Sequence, residues 1–126
     1  MYSAAIFLIA ALEVIPAPNK RENLLIIFGG RSSEHEVSCM SAVNVTENVD
    51  KTKYNVTLVG ITKSGKWLLV DDIKQVKDGS WTHGRVRAIL SPDAQSKSLY
   101  FLRDRDGDEM FASNIRIDVI FTHIAV

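Results

Sequence analysis

The chain has 126 residues, which is enough for one compact domain and too few for a multidomain enzyme. Hydrophobic residues make up 46% and charged residues 24%, which excludes a disordered tail and a disulfide-stapled miniprotein. The 15 basic residues balance the 15 acidic ones, so charge favours neither nucleic acid nor a membrane as partner, and Cys39 alone offers no internal disulfide. A cytoplasmic location is therefore the default expectation.

The first 22 residues differ in character from the rest of the chain. Residues 4–12 are an unbroken apolar run that is too short to span a bilayer. A secretory signal is the less favoured interpretation, because no basic residue precedes the run. A loosely attached helix or a start codon upstream of the natural one fits better, since Pro16 and Pro18 separate the run from the first strand. We predict a leader over residues 1–22 and one domain over residues 23–126.

A strand, a glycine turn and a helix begin the predicted domain. Residues 24–28 form a short apolar run that is typical of a strand buried on both faces, and Gly29 and Gly30 end it. Ser33 and Glu36 have the spacing of a capping box, which predicts a helix that starts near residue 33. The stripe that lies on the sheet is predicted to consist of Val37, Ser41, Val45 and Val49, with Ala42 beside them.

The rest of the domain is predicted to consist mainly of strands and turns. Residues 54–61 are rich in β-branched side chains and predict a second strand, parallel to the first in a right-handed βαβ unit. The polar turn at residues 63–66 predicts a hairpin excursion into a strand at 67–70. We then expect a short helix at 71–79, a loop at 80–85 and a strand at 86–90. Two further strands at 99–102 and 110–112 are expected to be joined by a tight Asp106-Gly107 turn. A final strand is expected at 115–121, in the sheet centre.

The segment between the first strand and the helix is the candidate ligand site. In open α/β sheets, ligands bind beyond the carboxyl ends of the strands, and Gly29 and Gly30 let the backbone turn sharply and approach a ligand there. The segment has neither a dinucleotide fingerprint nor a P-loop. Glu34 and Glu36 fall in the first helical turn, where the helix dipole favours a carboxylate that can face a cationic group. Simple capping of the helix by both acids is an equally favoured alternative.

Other side chains are assigned to packing or to the surface. Three histidines lack the spacing of metal ligands, so we expect them on the surface or in loops: His35, His83 and His123. Cys39 is expected to be a small core residue. Trp67 and Trp81 are expected to be packing residues.

Three segments in the same order carry a family resemblance. Residues 29–38 (GGRSSEHEVS) resemble the N-terminal signature of the D-alanine:D-alanine ligases, and residues 59–67 (VGITKSGKW) and 117–121 (IDVIF) are also similar to that family. The resemblance covers residues 23–121. It implies an α/β fold that is Rossmann-like (pre-ATP-grasp), with an open, mainly parallel sheet and a β-hairpin excursion. It also implies an enzyme that uses ATP and magnesium to join two D-alanine molecules for peptidoglycan synthesis.

The resemblance assigns site residues one by one. The glutamate that matches Glu34 holds the ammonium of the first D-alanine, Val37 lies beside the same subsite, and Gly29 and Gly30 form the glycine turn near the substrate. The central and ATP-grasp domains of the family have no counterpart in this sequence. We therefore expect a truncated, substrate-side domain that binds no cofactor or metal, has no catalytic residue of its own and is inactive alone.

Two questions stay open at the level of sequence. A small non-enzymatic α/β binding or regulatory module is the alternative function, and it would leave Glu34 as a helix cap instead of a ligand contact. Whether the domain forms a homodimer, as its relatives do, is the second open question.

Overall fold

The computed structural model describes residues 20–93 and 95–125. The predicted leader lies almost entirely outside the described residues and stays a prediction. The elements are β1 (Glu22–Gly30), α1 (His35–Asn48), β2 (Tyr54–Ile61), β3 (Trp67–Val70), α2 (Ile73–Asp78), a 3-10 helix (Ser80–His83), β4 (Val86–Leu90), β5 (Ser98–Arg105), β6 (Asp108–Arg116) and β7 (Val119–Ala125).

All described strands belong to one mixed sheet in the order β6-β5-β4-β3-β2-β1-β7. β1 pairs in parallel with both β2 and β7, whereas β3 to β6 extend the sheet by antiparallel pairing. The predicted βαβ unit, the hairpin after β2 and the tight turn at Asp106-Gly107 are confirmed, and both turn residues have positive φ. The α/β fold class predicted from the sequence is therefore confirmed.

The position of the last strand differs from the prediction. We expected a strand over residues 115–121 in the sheet centre, but β7 runs over Val119–Ala125 at one edge of the described sheet. Ile115 instead belongs to β6 and pairs with Leu99. The prediction was wrong because residues 115–121 contain the end of β6, two residues outside any strand and the start of β7.

Two hydrophobic clusters lie on opposite faces of the parallel strands. On one face, Leu24, Ile26 and Phe28 of β1 pack against α1, α2 and the 3-10 helix. On the other face, Leu25 and Ile27 belong to a second cluster that also contains buried side chains of β2, β4 and β5. β1 is consequently buried on both faces, as the sequence predicted.

The buried face of α1 is the predicted one only in part: Ala42 is buried, and Val45 and Val49 pack against the core. Val37, which the predicted stripe included, is 50% exposed. The residues of α1 that are buried are His35, Ser38, Cys39, Ala42 and Thr46. The prediction was wrong at Val37 because it sought apolar residues, whereas three of the five buried side chains are polar. Cys39 is confirmed as a core residue.

Candidate functional site

The carboxyl ends of β1, β2 and β7 lie side by side, because the three strands are parallel neighbours. Gly29 and Gly30 end β1 there with φ values of +91° and +116°. A Cβ atom at Gly29 would lie 2.2 Å from the Ile61 carbonyl oxygen, and one at Gly30 would lie 2.0 Å from the Ala125 carbonyl oxygen. The glycines are therefore required by the close approach of β2 and β7, while approach to a ligand stays a prediction.

A buried serine hydroxyl links α1 to the carboxyl ends of β1 and β7 by hydrogen bonds. Ser38 is fully buried, and its Oγ accepts a hydrogen bond from the Gly29 N–H at 2.7 Å and donates to the His123 carbonyl oxygen. One helical turn along, Ser41 Oγ shares a hydrogen bond of 2.7 Å with His123 Nδ1. This network fixes the start of the helix against β1 and β7. Sequence analysis missed it, because buried serines carry no signal in a hydrophobic pattern.

His35 is buried, which contradicts its predicted surface position. Its side chain is 5% exposed, and Nδ1 donates to the Gly30 carbonyl oxygen at 2.7 Å. Its ring stacks on Trp81 with the centroids 5.9 Å apart, and Trp81 in turn meets Phe28 edge-on at 5.2 Å. The packing role predicted for Trp81 is confirmed. His35 is buried because the tryptophan covers the ring and the glycine carbonyl satisfies its donor.

The other two histidines lie in different environments. His83 is exposed on the 3-10 helix, as predicted, whereas His123 is half-buried on β7 and was wrongly expected on the surface or in a loop. Within residues 20–93 and 95–125, no group of three or more His, Cys, Asp or Glu side chains is arranged to hold a metal ion. None of the helices in this part of the chain has the length and apolar character needed to cross a membrane.

Glu34 and Val37 share one exposed side of the start of α1. Glu34 occupies the N-cap position, and its backbone N–H donates to Ser32 Oγ at 3.1 Å. Its side chain makes no capping hydrogen bond in the described part of the chain and is exposed. Val37 lies three residues further along, on the same side of the helix. Both side chains are thus exposed at the start of α1, the helix that follows the carboxyl end of β1.

Glu36 lies on a different side of α1 and does not form the predicted capping box. Its carboxylate is 3.7 Å from Lys63 Nζ, and both side chains are well exposed. The helix begins at His35, whose N–H donates to the Ser32 carbonyl oxygen, so Ser33 lies in a turn before the N-cap. The helix start was therefore predicted two positions too early.

A cavity of about 500 Å³ lies between the start of α1, the β2–β3 turn and the 3-10 helix. Its lining includes His35, Glu36, Cys39, Lys63, Ser64 and Trp81. Glu34 and Val37 are not part of this lining. The two acids of the first helical turn consequently face different surroundings, which allows their roles to be tested separately.

Burial determines the expected reactivity of Cys39. Burial, followed by the negative charge of Glu36, raises the pKa of the Cys39 thiol from 9.0 to about 11, while Lys63 has the opposite effect. At pH 8 the folded protein should contain about a hundredth of the thiolate present in the unfolded chain, and Cys39 should react at least about 100-fold more slowly with a thiol reagent. Labelling rates with and without guanidinium measure this difference, and a Cys39→Ser chain gives the background.

The pH dependence of this reaction provides a second check. Because the folded pKa is raised to about 11, the native rate should climb through the alkaline range and level off only above that pH. A native rate equal to the unfolded one at neutral pH would contradict the buried position of the thiol.

Comparisons with known proteins match the same part of the chain. Residues 23–124 match the family described as D-ala D-ala ligase N-terminus. The chain is 42% identical over 96 residues to a D-alanine–D-alanine ligase of Caldicellulosiruptor bescii, covering 76% of this chain and 25% of that protein. It is 38% identical over 103 residues to a ligase of the same name from Thermoanaerobacter sp., covering 81% of this chain and 27% of that protein.

Solved structures of ligases are also similar to this chain. The VanG D-Ala:D-Ser ligase from Enterococcus faecalis matches with a TM-score of 0.68 and 28% identity, covering 83% of this chain and 29% of that one. The D-alanine-D-alanine ligase from Coxiella burnetii shares the fold, with a TM-score of 0.58 and 23% identity over 82% of this chain and 28% of that one. The chain thus spans about a quarter of the length of these relatives. It belongs to the D-alanine–D-alanine ligase family and corresponds to the N-terminal domain of that family.

Proposed function

We propose that this chain is the substrate-side domain of a cytoplasmic D-alanine–D-alanine ligase of peptidoglycan synthesis, and that Glu34 binds the ammonium of the first D-alanine. The observation that carries the proposal is the exposed Glu34 carboxylate at the N-cap of α1, the helix that follows the carboxyl end of the parallel strand β1. An open α/β sheet binds its ligands at this end. A carboxylate at this place can accept a charge-assisted hydrogen bond from an ammonium group.

The alternative of a non-enzymatic module differs in the role of Glu34. That alternative leaves the glutamate as a helix cap, but its side chain makes no capping hydrogen bond within the described residues. The carboxylate is therefore available to a ligand, which supports the ligase over the alternative. Val37 offers an apolar surface of a size suited to the methyl group of D-alanine.

ATP and magnesium belong to the complete enzyme in this proposal. ATP supplies the phosphoryl group that activates a carboxylate, and magnesium neutralises the phosphate charge. The described residues do not fit a magnesium site, since no three of their His, Cys, Asp or Glu side chains converge. This chain's own contribution is to bind and orient the amino end of the first substrate.

A fusion experiment tests the proposal. The chain alone should show no D-alanine-dependent phosphate release, because positioning of both substrates supplies most of the rate in such reactions. Fusion of residues 20–125 to the part of the Caldicellulosiruptor bescii relative that follows its N-terminal domain should produce D-alanine-dependent phosphate release. The same remainder without any N-terminal domain is the control, and a fusion that is folded yet inactive, or a chain that is active alone, would contradict the proposal.

A further inference from the structure

Glu34 lies in a short loop whose hydrogen bonds are local. In the part of the chain that the structure describes, the hydrogen bonds of residues 32–34 go only to one another and to the first turn of α1. The Glu34 N–H donates to Ser32 Oγ at 3.1 Å, and the Glu34 carbonyl oxygen accepts from the Ser38 N–H at 3.0 Å. These bonds do not reach the sheet, so the position of Glu34 depends on how the ends of the loop are anchored.

His35 anchors the end of the loop that adjoins Glu34. Its Nδ1 donates to the Gly30 carbonyl oxygen at 2.7 Å, so one hydrogen bond ties the first residue of α1 back to the last residue of β1. The hydrogen bonds of the Ser38 side chain to the strands come one helical turn later. His35 is thus the anchor that lies next to Glu34 in the chain.

Trp81 holds the His35 ring in place. The two rings stack with an angle of 15° between their planes, and both side chains are buried. Trp81 is itself packed on the sheet, since it contacts Phe28 edge-on and a Cβ atom at Gly60 would lie 2.6 Å from its Cε3 atom. Such close packing leaves the imidazole little rotational freedom, which keeps Nδ1 directed at the Gly30 carbonyl oxygen.

We propose that His35 and Trp81 are positioning residues for Glu34. Trp81 orients the imidazole, and the hydrogen bond from His35 to Gly30 fixes the start of α1, which holds the Glu34 carboxylate where it meets the ammonium of the substrate. The inference rests on the proposed function, because it takes Glu34 as the ligand contact. Neither ring needs to touch the substrate, since the effect passes through the backbone. A carboxylate displaced by about 1 Å would lose much of its hydrogen bond to an ammonium.

Hydrogen exchange in the unfused chain tests the anchoring. His35→Phe keeps an aromatic ring beside Trp81 and removes the donor, whereas His35→Asn restores an N–H close to the position of Nδ1. We expect the amides of residues 34, 35 and 38 to exchange roughly tenfold faster in His35→Phe and to recover part of their protection in His35→Asn. The β2 amides are the internal control and should not change. Native exchange rates at residues 34, 35 and 38 in His35→Phe would overturn the proposal.

Kinetics of the fused ligase test the effect on the substrate. His35→Phe and Trp81→Phe should each raise the KM for the first D-alanine by roughly tenfold and change kcat by less than about twofold, because the ammonium contact is made equally in the ground and transition states. A purely structural role would lower the Tm and the active fraction, and would leave KM unchanged. Trp67→Phe is the matched control and should keep the native KM, since Trp67 packs against the cluster on the opposite face of the sheet.

A double substitution shows whether the effect passes through Glu34. In a Glu34→Gln background, His35→Phe should raise KM by less than about twofold, because residues that act through one interaction are not additive. A full further increase in KM, or folded His35→Phe and Trp81→Phe fusions with the native KM, would overturn the positioning role alone. A native KM in the Glu34→Gln fusion would instead overturn the proposed function, and the positioning role with it, whatever the exchange rates show.

Discussion

Glu34→Gln in the fused ligase is expected to weaken the apparent affinity for the first D-alanine by roughly 10- to 150-fold, because a hydrogen bond between charged groups contributes about 1.5 to 3 kcal/mol. Glutamine retains the size of the side chain and removes its charge, so the loss reports on the carboxylate. Glu34 is exposed and makes no side-chain cap within the described residues, so the fold should be unaffected. Steady-state kinetics with varied D-alanine, together with the Tm of each variant, measure the effect.

Glu36→Gln is the matched control for this prediction. Glu36 lies two residues from Glu34 on another side of α1, and its partner Lys63 is also exposed. An exposed ion pair contributes about 1 kcal/mol or less to stability, so the substitution should hardly change either the Tm or the D-alanine affinity. Equal effects of the two substitutions on D-alanine affinity would contradict the assignment of Glu34 as the ligand contact.

Gly30→Ala is expected to lower the free energy of unfolding by more than about 3 kcal/mol, because strain and a backbone clash act together. The φ of Gly30 is +116°, and the added Cβ would lie 2.0 Å from the Ala125 carbonyl oxygen. A carbonyl in a paired strand cannot move aside as a flexible side chain can. The Tm should therefore fall by more than about 10 °C, as measured by circular dichroism.

Gly79→Ala separates the conformational strain of a positive φ from the backbone clash. Gly79 has a φ of +82°, but nothing lies within 4 Å of the position that a Cβ would occupy there. Only conformational strain of about 1 to 2 kcal/mol should result. If both alanine substitutions cost the same free energy, the close approach of β7 to Gly30 is not important for stability.

Elements with a clear local pattern were predictable from the sequence. The bounds predicted for β2, β3 and β4 agree with the structure, because each strand is an apolar or β-branched run that ends at a turn. β5 and β6 are longer than predicted, since their polar ends continue the hairpin on a largely solvent-exposed part of the sheet. Pairing with the neighbouring strand extends them beyond the apolar residues.

The position of the glycine turn was predictable from the sequence, but the contacts around it were not. The glycine turn and the acidic residues after it follow the carboxyl end of β1, as predicted, while their contact with a ligand stays a prediction. Burial of His35 and Ser38 was not predictable, because it depends on Trp81 and His123, which are distant in sequence. The different surroundings of Glu34 and Glu36 likewise depend on where the helix begins, because the start at His35 puts Glu34 at the N-cap position and Glu36 in the first turn.

The pairing of β1 with β7 has a consequence for synthesis of the chain. Leu25 and Ile26 are fully buried, and their partners on one side, Ile120 and Phe121, lie close to the other end of the domain. Because a protein leaves the ribosome from its N-terminus, β1 emerges early and keeps one edge open until β7 is made. Antiparallel β4, β5 and β6 join segments close in sequence and can form in the interval. The nascent domain therefore keeps one edge of β1 unpaired until residues 119–125 have been made, and a chaperone bound to that edge would delay the addition of β7.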